Sequence, residues 1–138
     1  RFALDGIILT RLKQINNHKG DIFHAMKKSD EGFDGFGEAY FSTIKQDDIK
    51  GWKKHTQMSL NLVVPIGEIQ FVIYDEKLKK FFDINLSLNN YQRLTVKPNF
   101  WTAFRGVGNY NMLLNLASIE HNPSEAVTID LSEIKYEW

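Results

Sequence analysis

A chain of 138 residues fits one domain and buries about two thirds of its unfolded surface on folding. Seventeen Lys plus Arg balance 17 Asp plus Glu, so no net field draws in a polyanion and nucleic acid is not an expected partner. The lack of Cys excludes disulfides and thiolate metal sites; with no apolar run near the roughly 20 residues of a membrane span and no apolar leader in Arg1-Phe2-Ala3-Leu4-Asp5, a soluble, cytoplasmic protein without membrane contact is expected.

In chain order, the candidate elements are nearly all short strands. Ile7-Ile8-Leu9 comes first, and His24 to Glu31 offers a turn or two of helix without sustaining a 3.6-residue period. Tyr40-Phe41-Ser42-Thr43-Ile44 reads as a strand, and Asp48 to His55 is taken as extended. The turn at Pro65-Ile66-Gly67-Glu68 starts a stronger strand, Ile69-Gln70-Phe71-Val72-Ile73-Tyr74. Asp83–Leu86, Arg93–Val96, Trp101–Phe104, Met112–Leu116 and Val127–Ile129 follow, with a short helical turn at Pro123-Ser124-Glu125-Ala126. Short strands broken by turns about every 8 to 12 residues point to an all-β sandwich or small barrel. No repeat, linker or low-complexity tract interrupts the chain, so residues 1–138 read as one domain.

The run Ile49-Lys50-Gly51-Trp52-Lys53-Lys54-His55-Thr56-Gln57 gathers basic groups, an imidazole and an indole inside a stretch whose flanks read as strand. In an extended chain Ile49, Gly51, Lys53 and His55 share one face, continued by Gln57 and Asn61 if no bulge intervenes, while Lys50, Trp52 and Lys54 share the other. A polar row facing inward implies a wet cavity, because a buried Lys or His loses hydration and needs partners. Alternation alone leaves open which face that is. Trp52 and Trp101 offer platforms for a sugar ring or ordinary core packing. Arg105 suits a phosphate or a surface ion pair. Gln57, Asn61, Asn109 and Asn115 suit hydroxyl groups or local backbone. Phe33, Phe36, Tyr40 and Phe41 read as core or subunit contact.

The segments Gly20-Asp21-Ile22-Phe23, Gly37-Glu38-Ala39-Tyr40-Phe41-Ser42, Lys50-Gly51-Trp52-Lys53-Lys54-His55, Gly67-Glu68-Ile69-Gln70-Phe71-Val72-Ile73-Tyr74-Asp75 and Pro98-Asn99-Phe100-Trp101-Thr102-Ala103-Phe104 follow one another in order. Their spacing resembles that of the dTDP-4-dehydrorhamnose 3,5-epimerase family across nearly the whole chain. The resemblance implies an all-β cupin fold, a jelly-roll double-stranded β-helix barrel. It also implies epimerisation of a nucleotide-linked 4-keto sugar with no metal and no organic cofactor. In that family a His base, an orienting Asp, a Lys and a Tyr carry the proton transfers. By correspondence the family's His falls on Lys53, its Lys on Leu60, its Tyr near Leu114, its second His on Thr102, and its orienting Asp near Leu131, one residue from Asp130. Its two phosphate-contacting Arg residues correspond to Lys50 and to Lys19, which would serve the neighbour in a homodimer, and its nucleotide-contacting Glu falls near His24. Lys keeps the charge of Arg but not its bidentate fork.

Two roles follow for the central strand. His55, with a reference pKa near 6.5, suits acid-base work, with Lys53 as electrostatic stabiliser and Asp130 as orienter; Lys53 would itself need a strongly lowered pKa to act as a base. The competing reading makes Lys53 a solvated side chain and His55 a hydrogen-bonded, half-buried group. A metal is not expected, because of the cupin ligand positions Lys53, His55, Leu60 and Thr102 only His55 is a credible ligand and three or four are needed. The expected function is a metal-independent isomerase or epimerase acting on a nucleotide-activated keto sugar in cell-surface polysaccharide synthesis. The alternative is a carbohydrate-binding or nucleotide-sugar-binding cupin of the same pathway that catalyses nothing.

Overall fold

The computed structural model describes residues 2–138, and side chains from Asp5 onward. Thirteen strands run through the described residues: β1 (Phe2–Leu4), β2 (Ile7–Arg11), β3 (Gln14–Ile15), β4 (Ile22–Phe23), β5 (Glu38–Lys45), β6 (Ile49–His55), β7 (Leu60–Ile66), β8 (Glu68–Asp75), β9 (Lys80–Ser87), β10 (Gln92–Val96), β11 (Trp101–Gly106), β12 (Tyr110–Ala117) and β13 (Ala126–Thr128). Short 3-10 turns occupy Pro123–Glu125 and Leu131–Glu133. The segment from His24 to Glu31 contains no helix.

The strands make a six-stranded sheet ordered β1-β2-β10-β7-β12-β5, a five-stranded sheet ordered β13-β6-β11-β8-β9, and the small hairpin β3-β4. All-β structure is therefore as the sequence implies, but the jelly-roll barrel is not. Closing a barrel requires edge strands to pair. Here β1 and β5 end one sheet, β13 and β9 end the other, and no ladder joins them. Between β5 and β6 the chain makes one isolated bridge, Gln46 to Gly106, and Lys50 Nζ donates to the Thr43 carbonyl at 2.8 Å. A side chain thus meets β5 where a closed barrel would need a strand.

Apolar side chains of both sheets fill the space between them, with Leu9, Leu62, Val64 and Leu94 from one and Ile69, Phe71, Ile73 and Leu86 from the other. Strand β7, between β10 and β12, is buried from Leu60 to Val64: Leu60, Leu62 and Val64 join the core between the sheets, and on the other face Asn61 lies against Gly32 of the irregular segment. Its terminal Pro65 makes it read from sequence as a turn approach, since proline donates no ladder hydrogen bond. Gly67, at φ +78°, makes the tight turn into β8; a Cβ there would come within 2.2 Å of the Tyr110 carbonyl oxygen.

The five-stranded sheet carries a second apolar cluster on its outer side. Trp52, Val72, Trp101 and Ala103 pack there under Ile129, Ile134, Tyr136 and Trp138 of the C-terminal segment. The Trp52 indole N–H is shared between the carbonyls of Ile134 (3.2 Å) and Leu131 (3.3 Å). These two bonds pin the tail and fix which way β6 faces.

Arg93 is the fully buried cation of the six-stranded sheet. Its Nε donates to Asn61 Oδ1 at 3.1 Å, its Nη1 to the Ala25 carbonyl at 2.9 Å and to Asp30 at 3.2 Å, and its Nη2 to the Glu31 carbonyl at 3.1 Å. A guanidinium is taken out of water here only because every face of it finds an acceptor. The irregular segment ahead of β5 is thereby strapped to β10. Arg93→Ala is expected to destabilise the fold by about 3–5 kcal/mol, because Asp30 and the two carbonyls lose their donor. Urea denaturation followed by tryptophan fluorescence checks this; a loss below about 1 kcal/mol contradicts the strap.

Candidate active site

A cavity of about 380 Å3 opens between the two sheets, within the usual range for a small-molecule site. Strand β6 supplies Lys50, Gly51, Lys53 and His55; β5 supplies Tyr40 and Ser42. The apolar wall is Leu60, Leu62, Phe104 and Leu113, and Thr102, Asn115 and Thr128 complete the lining.

The face of β6 that alternation leaves open is settled by a bulge. Thr102 pairs with Lys53 and Phe104 with Lys50, so three steps on β6 oppose two on β11. The extra residue resets the alternation, and Lys50 joins Lys53 and His55 at the cavity while Trp52 points to the outer cluster. Strict alternation would have put Lys50 with Trp52. The absence of a side chain at Gly51 permits this, since a Cβ there would lie 2.4 Å from Ala103 Cβ.

His55 Nδ1 meets the carboxylate of Glu125, not Asp130. Glu125 is 3% exposed. Its other oxygen accepts from the backbone amides of Gln57 (3.0 Å), Thr56 (3.1 Å) and Met58 (3.3 Å), and the Thr56 hydroxyl donates to the Glu125 carbonyl at 2.6 Å. The short turn at Pro123–Glu125, capped by Asn122, delivers this carboxylate to the end of β6. Burial pushes the Glu125 carboxyl upward, but the bonds from His55 and from the Gln57 and Met58 amides outweigh that and hold it below its ordinary value. The group stays ionised and locks the imidazole ring.

The remaining positions singled out from sequence scatter. Asp130 is exposed at the start of the Leu131–Glu133 turn. Lys19 lies exposed in the β3-β4 hairpin, and His24 follows that hairpin, its carbonyl accepting from the Tyr91 hydroxyl at 2.7 Å. Gln57 is exposed and serves through its amide. Asn61 does not continue the β6 face: after His55 the chain crosses to the other sheet, where Asn61 is buried and bonds Arg93, Thr95 and the Gly32 carbonyl. Trp101 borders a separate open recess with Tyr74, Phe81 and Glu76, and Lys54 sits 4.8 Å above its ring. Arg105 is held by Gln70 at 3.1 Å and stands 3.6 Å from Asp47. Leu114 points away from the cavity, which its neighbours Leu113 and Asn115 line.

Sequence reasoning passed over Glu125 and Tyr40. Glu125 gave no signal beyond its place after Pro123-Ser124, because its partner lies 70 residues away. Tyr40 and Ser42 share one strand face, and Tyr40 faces Asn115 across the β5-β12 ladder. The Asn115 side-chain amide donates to the Tyr40 hydroxyl oxygen at 3.0 Å, so the phenol proton is free for another acceptor. The cavity therefore holds two lysines, one carboxylate-anchored histidine and one phenol, with no carboxylate among its lining residues. The Lys53 side chain is exposed, as its reading as a solvated side chain expects, and its ammonium has no hydrogen-bond or ion-pair partner among the described residues. No three His, Cys, Asp or Glu side chains come together as a metal-ligand group among the described residues. No helix among them is long and apolar enough to cross a membrane.

Two facing β-sheets with an anchored histidine and a cationic wall between them define an all-β protein equipped to hold an anionic ligand. No protein-family model matches the sequence, and no curated protein does. Among solved structures, a dTDP sugar isomerase from Desulfovibrio desulfuricans is 29% identical, with 97% of this chain and 91% of that one covered at a TM-score of 0.90. The sugar 3,4-ketoisomerase QdtA from Thermoanaerobacterium thermosaccharolyticum, solved with TDP, shares the fold at 20% identity over 91% of this chain and 89% of that one, with a TM-score of 0.79. A dTDP-6-deoxy-D-glucose-3,5-epimerase from Legionella pneumophila shares it at 15% identity over 99% and 80%, with a TM-score of 0.81. By structure, the chain is similar to these dTDP-sugar isomerases and epimerases.

Because the Glu125 carboxyl titrates lower in the folded chain than in the unfolded one, its contribution to stability is full above the ordinary value of 4.5 and is lost as pH falls through the folded value. Glu125→Gln is expected to cost about 1–3 kcal/mol at pH 7, with the gap from wild type narrowing as pH falls toward 3. Denaturant titrations at both pH values test this, and an equal gap at the two contradicts it.

Proposed function

We propose that this protein binds a nucleotide-linked keto sugar in the cavity and moves protons at the carbon next to the ketone, as an isomerase or epimerase. The observation that carries this reading is the pairing of His55 with Glu125 at a cavity wall that also bears Lys50 and Lys53. The similarity to the Desulfovibrio dTDP sugar isomerase supports the substrate class.

With Nδ1 turned to Glu125, Nε2 is the nitrogen left for chemistry. A carboxylate in that position selects the tautomer with Nδ1–H, so Nε2 carries the lone pair and acts as base. It takes the proton from the carbon beside the ketone, and the electron pair of that C–H bond moves to the carbonyl oxygen. The ammonium of Lys53, exposed at the cavity wall, stabilises the resulting enolate oxygen once the bound sugar excludes water from it. Glu125 remains ionised and stabilises the imidazolium. If the Tyr40 hydroxyl protonates the same carbon from the opposite face, the centre inverts, with His55 releasing its proton to solvent and Tyr40 regaining one from it; if instead the hydroxyl on the deprotonated carbon passes its proton to the enolate oxygen while His55 protonates the former carbonyl carbon, the carbonyl shifts. Lys50, exposed and with its Nζ on the Thr43 carbonyl at 2.8 Å, attracts the diphosphate.

A homodimer belongs to this reading. The β3-β4 hairpin presents Ile15, Ile22 and Phe23 to solvent, and Phe36 and Phe41 are exposed beside the open edge of β5, which suits a second copy covering them and bringing Lys19 to its neighbour.

Incubation with TDP-4-keto-6-deoxyglucose in deuterated water is expected to place deuterium on a carbon flanking the ketone, read by mass spectrometry. His55→Asn is expected to slow uptake by about 10²–10⁴-fold with affinity retained, and Tyr40→Phe to slow whichever step uses the phenol. Tight binding by the wild type with no uptake would replace catalysis by the binding-protein reading, and undiminished uptake in His55→Asn would remove His55 from the mechanism.

A further inference from the structure

The cavity wall carries a hydroxyl that the protein itself does not use. On β11, Trp101 and Ala103 pack in the outer cluster while Thr102 and Phe104 line the cavity, so the Thr102 side chain faces inward. Its ladder partner on β8 is Ile73, a residue of the apolar core, and its partner on β6 is Lys53. Thr102 is 9% exposed, and its hydroxyl makes no hydrogen bond among the described residues. The unpaired side-chain oxygens shut off from water among those residues are Thr10 Oγ1 and Asn115 Oδ1, so the Thr102 hydroxyl is reached from the cavity. Valine has the same shape and would suit the apolar side of this position better, because a hydroxyl set into a wall without a partner gives up part of its hydration.

From this geometry we infer that Thr102 is a catalytic residue: its hydroxyl donates a hydrogen bond to the ketone oxygen of the bound sugar and shares with Lys53 the negative charge that gathers there as His55 takes the proton. The inference rests on the proposed isomerisation. Directly opposed residues of an antiparallel pair have Cβ atoms about 5 Å apart on one face, so a ligand oxygen placed between Thr102 and Lys53 meets both donors. His55 lies two residues beyond Lys53 on β6 and lines the same wall, which lets base and donors act on adjoining atoms of one sugar ring. The two donors differ in kind. The Lys53 ammonium is exposed and moves on a long stem, whereas the Thr102 hydroxyl sits on a short, β-branched side chain in a buried stretch of strand. A donor already in place where charge develops needs no reorganisation at the moment of reaction, and its bond tightens as the ketone becomes an enolate. The hydroxyl keeps its proton throughout, so His55 and Tyr40 remain the groups that transfer one.

The experiment follows deuterium uptake from deuterated water into TDP-4-keto-6-deoxyglucose by the full chain, with kcat and KM determined for wild type, Thr102→Val and Thr102→Ser. Thr102→Val, which keeps the shape and loses the hydroxyl, is expected to lower kcat by about 10²-fold with KM within about threefold of wild type. Thr102→Ser, which keeps the hydroxyl, is expected to hold kcat within about tenfold of wild type. Thr102→Ala removes the hydroxyl without adding bulk and is read in the same way should the valine variant not fold. A kcat within about threefold of wild type in the variant without the hydroxyl overturns the inference, as does a raised KM with kcat unchanged, which would assign the hydroxyl to ground-state binding. A serine variant as slow as the valine one also overturns it, since the loss is then one of packing. Wild type that shows no uptake overturns the proposed isomerisation and the inference with it, whereas uptake indifferent to the Thr102 hydroxyl overturns the inference alone.

Discussion

A buried carboxylate must find a partner for each oxygen or lose more than it gains. Glu125 finds all of its partners at one place, the end of β6, where the chain leaves one sheet for the other. The amides of Gln57 and Met58 would otherwise be left without a ladder partner, whereas that of Thr56 also donates to the Glu125 backbone carbonyl at 2.9 Å. The carboxylate satisfies them, fixes the crossover, and with its remaining oxygen fixes the His55 ring. The position of the His55 imidazole is thus tied to the same interaction that lets the chain change sheets. The local structure follows from the same group: the β13 strand begins immediately after Glu125 and pairs with β6 from His55 to Lys53.

The bulge in β6 is the second constraint. It turns a row that would alternate between cavity and outer surface into one that places two ammonium groups and an imidazole on the same wall. Trp52, facing the other way, anchors the C-terminal segment through Leu131 and Ile134 and prevents β6 from rolling. Against this cationic wall stands an apolar one. A ligand with an anionic end and a less polar ring end suits such a division, and a nucleotide-linked sugar has that character. The open sheets matter here too: β5 carries Tyr40 and Ser42 at an unpaired edge, so one side of the cavity ends at the molecular surface.

Much of the fold is legible in the sequence because strand propensity and turn residues act locally. The segments around Phe71, Ile84, Leu94, Ala103 and Leu114 all lie in strands close to where alternation and the flanking Gly, Pro and Asn residues put them. Strand β7 is hidden by Pro65 and by burial on both faces, which erases the period of two. The barrel implied by family likeness fails on a matter local patterns do not reach, namely whether distant edges pair. The site shows the same division. His55 and Lys53 stand out as unusual residues in a strand, but Glu125 belongs to the site through a contact across 70 residues, and Asp130 was near the right place in sequence with the wrong geometry. Lys50 depended on a bulge, and Tyr40 on a register with Asn115, neither of which a single sequence encodes visibly.

The central claim is that Glu125 holds His55 with Nδ1–H directed at the carboxylate and Nε2 bare toward the cavity. Heteronuclear NMR of the imidazole nitrogens, at a pH where the ring is neutral, observes this without a ligand. The account predicts a protonated Nδ1 carrying a strongly deshielded, slowly exchanging proton and an unprotonated Nε2, with that proton signal lost in Glu125→Gln. A neutral ring with its proton on Nε2, or a free mixture of tautomers in the wild type, would contradict it.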